Sequence, residues 1–185
     1  MIRTERLLLR RFREDDRPLF ASMNADREVM EFFPARLTRD ESDAVVDRLE
    51  REHADRGWGI WAVEVPGVAS FVGFVGLTVP RFEAPFTPCV EVAWRLSPQA
   101  WGRGYATEGA RAACAYGFDD VGLKEIVAYS VAANVRSRRV MERLGMTTSA
   151  EEDFDHPRLP EGHPLRRHVL YRLGRGALVT ASDAP

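Results

Sequence analysis

The sequence predicts an α+β fold, a mixed and mostly antiparallel sheet flanked by helices, and three features of the 185-residue chain carry that expectation. The first half holds β-like runs joined by turn residues, which favours antiparallel neighbours. The second half holds one strand, glycine turn, helix and strand in succession, which favours a parallel pair with a right-handed crossover. A chain of this length buries roughly 70% of its unfolded surface, so a core forms without disulfide support. Residues 1–173 read as one domain, and residues 174–185 read as a frayed tail.

Taken in order, Arg6 to Phe12 is a strand with Leu7 and Leu9 alternating against Leu8 and Arg10, ended by polar Arg13 to Asp16. A helix carrying Leu19, Phe20 and Met23 follows. Thr38-Arg39-Asp40-Glu41 is a capping box that opens a second helix with Val45, Val46 and Leu49 on its apolar stripe, and Arg56-Gly57 stops it. Trp58 to Val65 and Ser70 to Val79 form a hairpin about Pro66-Gly67, with Gly73 and Gly76 marking either a bulge or a close contact. Val90 to Leu96 is the central strand. Ala106, Ala110, Ala113, Cys114, Gly117, Phe118 and Val121 recur at helical spacing, and their small size suits close packing on a sheet. Glu125 to Val131 is the next strand, and Val135 to Leu144 a short helix ended by Gly145. A strand restarts at Met146. Ser149 to Arg167 is polar, contains Pro157, Pro160 and Pro164, and reads as a long loop before the closing strand His168 to Leu173.

A formal net charge of -2 argues against nucleic-acid binding, which needs a basic surface to release counterions. No apolar stretch approaches a membrane span, so a cytoplasmic protein with no membrane partner is expected. Cys89 and Cys114 read as reduced core thiols, with a single disulfide between them left open. The four histidines lack zinc-ligand spacing, and no metal is expected. The basic run Arg136, Arg138, Arg139, Arg143 and the acidic run Glu151, Glu152, Asp153, Asp155 read first as solvated faces.

The chemistry concentrates in Gln99-Ala100-Trp101-Gly102-Arg103-Gly104-Tyr105-Ala106. A strand that turns into a helix through closely spaced glycines leaves backbone N–H groups unpaired and pointing one way, a cradle for phosphate oxygens. The turn is no P-loop, because Gly-Lys-Ser/Thr is missing, and no dinucleotide fingerprint, because the third glycine is misplaced. Gln99-x-x-Gly102-x-Gly104 resembles the acyl-CoA pyrophosphate loop of the GNAT superfamily of N-acetyltransferases. Val90-Glu91-Val92-Ala93-Trp94-Arg95-Leu96 before it, and Ala133-Asn134-Val135-Arg136-Ser137 and Glu142-Arg143-Leu144-Gly145-Met146 after it, are similar to the branch containing the ribosomal-protein alanine N-acetyltransferases. The likeness runs from about Thr4 to Arg172.

The resemblance implies a splayed central parallel strand pair that admits acetyl-CoA, and transfer of its acetyl group to a primary amine by direct attack in a ternary complex. It implies that Val92, Ala93 and Trp94 line the pantetheine arm, and that Gln99, Gly102, Arg103, Gly104, Tyr105 and Ala106 hold the diphosphate. Asn134 reaches the arm or caps the next helix, and both roles are compatible. Glu91 is the candidate general base, since an alkyl ammonium with a pKa of about 10.4 must lose a proton before it attacks. Its alternative is a surface carboxylate paired with an arginine. Ser137, one turn into the helix after Asn134, is a candidate to contact CoA or protonate the departing thiolate, Tyr129 is another, and a thiolate with a pKa of about 8.5 also leaves without an acid. The oxyanion takes a backbone N–H near Ala93 or Trp94. Glu152, Asp153 and Asp155 stand as candidates to attract the amine, or as a solvated surface. The acceptor is a protein N-terminus or a small-molecule amine. A homodimer is compatible with the superfamily, although no stretch marks an interface. The rival reading is a non-catalytic acyl-CoA-binding module.

Overall fold

The computed structural model describes residues 1–179. The elements in chain order are β1 (Ile2–Arg3), β2 (Leu8–Arg10), α1 (Asp16–Ala25), α2 (Arg39–Arg56), β3 (Ile60–Val65), β4 (Ala69–Thr78), β5 (Glu91–Leu96), α3 (Tyr105–Asp119), β6 (Glu125–Val131), α4 (Val135–Arg143), β7 (Thr147–Thr148), β8 (Phe154–Asp155) and β9 (Arg167–Gly174). Among the described residues they form one sheet in the order β1-β2-β3-β4-β5-β6-β9-β7, with β8 also on β9. All pairs are antiparallel except β5 with β6. The α+β expectation therefore holds. No helix among the described residues is long and apolar enough to cross a membrane.

Local chemistry explains the boundaries. Thr38 Oγ1 accepts the Glu41 N–H while Glu41 accepts the Thr38 N–H at 2.8 Å, the reciprocal box that opens α2, and Gly57 closes it at φ 77°. One face of the sheet packs on α3, where Ala110, Ala113 and Cys114 are fully buried. A Cβ on Gly109 or Gly117 would come within 2.9 Å of Val75 or Leu77, so small residues do set the helix–sheet distance. The other face packs on α1 and α2 through Phe20, Met23, Val46 and Phe71.

Gly73 and Gly76 act by close approach. A Cβ on Gly73, at φ 136°, would sit 2.2 Å from the Arg95 carbonyl on β5. The β3–β4 register shift lies elsewhere, between the Val63 and Val65 pairings. Gly73→Ala is expected to cost about 2–3 kcal/mol by forcing β4 from β5. A lowered urea midpoint with an unchanged slope checks it.

Buried polarity is satisfied at the start of the domain. Arg10, 4% exposed, donates to both Asp16 oxygens at 2.6 and 2.9 Å and to Glu64 at 2.7 Å, tying β2 to α1 and β3.

The structure differs from the sequence expectation at three places. The first strand is shorter, Leu8–Arg10, and gains a partner β1, because a turn held by Thr4 N–H on the Leu7 carbonyl reverses the chain before it. The expected loop from Ser149 to Arg167 contains a 3-10 turn at Ala150–Glu152 and the strand β8, whose Phe154 is buried. The expected tail is tied down at first. β9 runs to Gly174, Val179 N–H donates to the Leu144 carbonyl, and Arg111 donates to the Val179 carbonyl at 2.7 Å. The rest of that tail, residues 180–185, lies outside the described residues.

Candidate active site

β5 and β6 share one register pair, Glu91 with Val127, and then part. Each is held on its outer edge, β5 by β4 over Gly73–Thr78 and β6 by β9 along its whole length. The inner edges beyond Glu91 are left to a cleft of about 860 Å³. Val127 N–H donates to the Val90 carbonyl at 2.9 Å. Because backbone groups alternate along a strand, the even-numbered residues of β5 turn theirs toward the cleft and the odd-numbered ones toward β4. Of the two residues expected to offer an N–H, Trp94 therefore faces the opening, whereas the Ala93 N–H faces β4. The Leu96 carbonyl, the next even position, accepts the Trp101 indole N–H at 2.8 Å.

At the top of β5 the chain makes the glycine turn. Gly102 and Gly104 take φ 72° and 79°, and Gly104 is the N-cap of α3 with no side chain to cap it. The first intrahelical bond is Glu108 N–H to the Gly104 carbonyl, so the N–H groups of Tyr105, Ala106 and Thr107 have no helical partner. Glu108, the acid of that first turn, is bound by Thr4 at 2.6 Å and neutralised by Arg6 at 2.7 Å, and Arg6 also donates to the Arg103 carbonyl at 3.0 Å. The helix mouth keeps its positive potential for an anion.

The opposite wall is β6 and α4. Asn134 Oδ1 caps α4 by accepting the Ser137 N–H at 3.2 Å, and its Nδ2 donates to Ser130 at 3.1 Å. One amide hydrogen remains for a ligand. Ser137 lines the same cleft.

Glu91 lies on the face of β5 shared with Ala93 and Arg95. Its Oε2 accepts the Tyr129 hydroxyl at 2.7 Å, so its partner is a phenol and not an arginine. Burial pushes the carboxyl up to about 7, against the smaller downward pull of that hydrogen bond. Tyr129 itself is raised well above its ordinary value by burial and by the neighbouring Glu91 charge. Its ring is gripped by Phe154, Phe82 and Phe86 at centroid distances of 5.6, 5.7 and 6.1 Å. A carboxyl near 7 beside an open strand edge suits proton acceptance at neutral pH.

Of the residues singled out in the sequence, Glu91, Val92, Ala93, Trp94, Gly102, Gly104, Tyr105, Ala106, Asn134 and Ser137 line this one cleft. Gln99 and Arg103 do not. They border a shallow depression with Val68 and Val72, and Arg103 Nε donates to the Gln99 carbonyl at 3.1 Å, closing the turn on itself. Arg139 faces the cleft, whereas Arg138 is engaged by the Tyr171 hydroxyl. Two of the loop acids are spent on arginines, Glu152 on Arg172 and Asp155 on Arg166 and Arg167, and Asp153 is not among the residues lining the cleft. The loop instead supplies His156, Arg158, Leu159 and Leu165 to the cleft wall. Both cysteines are free, and burial pushes Cys89 up to about 11 and Cys114 up to about 12.

Sequence reasoning named no residue of one further wall of the cleft. Phe32, Phe33 and Pro34, from the connection between α1 and α2, form a wall of the cleft, and Arg95 projects into it. The alternation of Glu91 and Arg95 on one strand face was a usable signal for Arg95. Nothing local pointed to the Phe32–Pro34 wall.

The comparisons with known proteins agree with this geometry. The family model described as an acetyltransferase (GNAT) domain matches residues 6–147. The chain is 33% identical over 160 residues to the FsC-acetyl coenzyme A-N(2)-transacetylase of Aspergillus fumigatus, covering 79% of this chain and 64% of that protein, so it spans less than two thirds of that relative. A solved GNAT-family acetyltransferase from Bacillus anthracis superposes with a TM-score of 0.75 at 26% identity, covering 94% of this chain and 97% of that one. The ribosomal-protein-S5-alanine acetyltransferase from Vibrio fischeri shares the fold, with a TM-score of 0.74 at 18% identity over 96% and 97% of the two chains. A strand pair opened beside a glycine-turned helix, on a chain matched over most of its length by that model, makes this protein a member of the GNAT acetyltransferase family.

Proposed function

We propose that the protein is a cytoplasmic N-acetyltransferase that carries an acetyl group from acetyl-CoA to a primary amine by direct attack, with residues 1–173 as its catalytic domain. The observation that carries this reading is the meeting, in one cleft, of an open β5 edge, the unpaired N–H groups of α3 and the half-buried Glu91. Acetyl-CoA supplies the acyl group and the thiolate that leaves. The N–H groups of Tyr105, Ala106 and Thr107 take the diphosphate oxygens, helped by the helix dipole. The edge of β5 and the free amide hydrogen of Asn134 take the polar groups of the pantetheine arm. The Trp94 N–H, already oriented, stabilises negative charge on the acyl oxygen. Glu91, ionised above about 7, accepts the amine proton directly or through one water. Ser137 stands on the thiol side of the cleft, as a CoA contact or proton donor.

Burial and raised pKa leave Cys89 and Cys114 protonated, so neither is a ready nucleophile, in keeping with direct attack. A screen of amine acceptors read by CoA thiol release tests the proposal. Amine-dependent thiol release with matching N-acetyl product is the expected result. Calorimetric CoA binding without release across the panel would overturn it in favour of the non-catalytic acyl-CoA-binding module.

A further inference from the structure

Arg95 is the group in the cleft whose environment makes least sense without a ligand. It is two residues beyond Ala93 on β5, on the same face as Glu91. Its Nη1 donates to Asn24 Oδ1 at 2.6 Å, and its guanidinium lies 3.9 Å from the centre of the Phe33 ring and 5.4 Å from that of Phe74. Asn24 is itself fully buried and spends its amide on Ser42. Among the described residues no carboxylate pairs with Arg95, and its Nε is buried without an acceptor. Arg10, the other guanidinium held inside the fold, has two carboxylates. A charged group taken out of water with one neutral partner costs free energy that an incoming anion recovers. A guanidinium backed by two rings and an amide is pre-oriented to offer its remaining N–H fork.

The charge of the cleft points the same way. Its lining carboxylates are Glu28 and Glu91, of which Glu28 is paired with Arg136 at 3.5 Å. Against them stand Arg95, Arg136, Arg139, Arg143 and Arg158. Arg136 is spent on Glu28 and Glu31 and lies over the Trp101 ring, which leaves Arg95, Arg139, Arg143 and Arg158 as cleft-lining arginines against the single unpaired carboxyl of Glu91 among the described residues. A polycation finds little to hold it there. His156 and His168 add no acid, and burial lowers both toward the neutral form.

We propose that Arg95 is a specificity-determining residue that binds the carboxylate of the acceptor, and that the acceptor is a small amino acid with an apolar or aromatic side chain. The inference rests on the transferase reading and supplies its substrate class. Residues of like face recur every ~7 Å along a strand, so an amine beside Ala93 lies within reach of Glu91 on one side and of the Arg95 side chain on the other. Phe32, Phe33 and Pro34 receive the apolar body. In the reaction the acceptor nitrogen bonds to the acyl carbon, the C–S bond breaks, Glu91 takes the amine proton, and the thiolate takes a proton from solvent or Ser137. The product is an N-acetyl amino acid and CoA.

The test compares L-phenylalanine with 2-phenylethylamine and L-leucine with 3-methylbutylamine, each pair differing by the carboxylate, with spermidine as the polycation. Wild type is expected to favour the amino acid of each pair by about 30-fold in kcat/KM, the size of one charge-assisted contact of about 2 kcal/mol. In Arg95→Met the ratio should fall to within about threefold, through KM for the amino acid more than kcat, and Arg95→Lys should recover part of it. Equal use of both members by wild type, preference for spermidine, or a ratio that survives in Arg95→Met would each overturn the proposal. If Arg95→Met does not fold, the wild-type ratios decide. Calorimetry on the CoA-loaded protein separates the two claims. Binding of phenylalanine but not phenylethylamine, with no thiol release from acetyl-CoA across the amine panel in the separate assay, supports the carboxylate subsite and sinks the transferase reading, while binding of neither overturns the subsite.

Discussion

Glu91→Gln is expected to lower kcat by about 10²–10³-fold and to flatten its dependence on pH, because a general base of this kind contributes on that scale. In wild type, kcat with saturating acceptor should rise about tenfold per pH unit up to about 7, where the buried carboxyl ionises, and level above it. Glutamine keeps the volume and still accepts the Tyr129 hydroxyl, so the loss reports the proton and not the fold. The same substitution should stabilise the protein. The folded carboxyl titrates near 7 and the unfolded one near its ordinary 4.5, so the folded state binds the extra proton between those values. Wild type therefore loses stability as pH rises through that window, and the variant does not. By about pH 8 the variant should be the more stable by up to about 3 kcal/mol, and by about pH 4 the two should coincide. Urea unfolding at both pH values checks the sign. An unchanged pH–rate profile in the variant removes Glu91 from the role of base.

Arg10→Met should cost about 3–5 kcal/mol, the usual consequence of leaving a buried carboxylate unpaired. Asp16 is 2% exposed and loses both of its guanidinium bonds, keeping the Arg13 N–H at 2.7 Å. Glu64 is less buried and keeps the weaker contact with Arg13 at 3.3 Å, so the damage centres on Asp16. The readout is the urea midpoint at neutral pH. Asp16→Asn in the Arg10→Met background should recover part of the loss, since it removes the stranded charge while keeping the side chain's shape. A double variant no more stable than the single one would place the cost in lost packing of the arginine stem.

How much was legible in the sequence depended on the range of the interaction. The capping box of α2, the Gly57 stop and the small-residue face of α3 are statements about neighbours within a turn or two, and each is met in the structure. The glycine turn was legible for the same reason. Positive φ at Gly102 and Gly104 and the uncapped start of α3 follow from residue types at fixed spacing. The tethers of residues 174–179 and the strand inside the Ser149–Arg167 loop were not, since both depend on hydrogen bonds to distant partners on α3, α4 and β9.

For the site, the sequence alone determined which residue types were available: a carboxylate two residues before Ala93, glycines at the helix mouth, and an amide and a hydroxyl three apart on α4. The tertiary structure decided their partners and electrostatics. Tyr129, 38 residues from Glu91, comes within 2.7 Å of it only because β6 is parallel to β5 at that level. Arg103, which carries a charge beside the glycines, is folded back onto Gln99. Arg95, which reads as one more residue of an alternating strand, meets no counter-charge among the described residues, because α1 presents an amide there and the α1–α2 connection a phenyl ring. Sequence pattern encodes the face a side chain takes on its own element. The dielectric and counter-charges it meets there are set by elements far away in the chain, and these govern whether a carboxyl titrates near 4.5 or near 7.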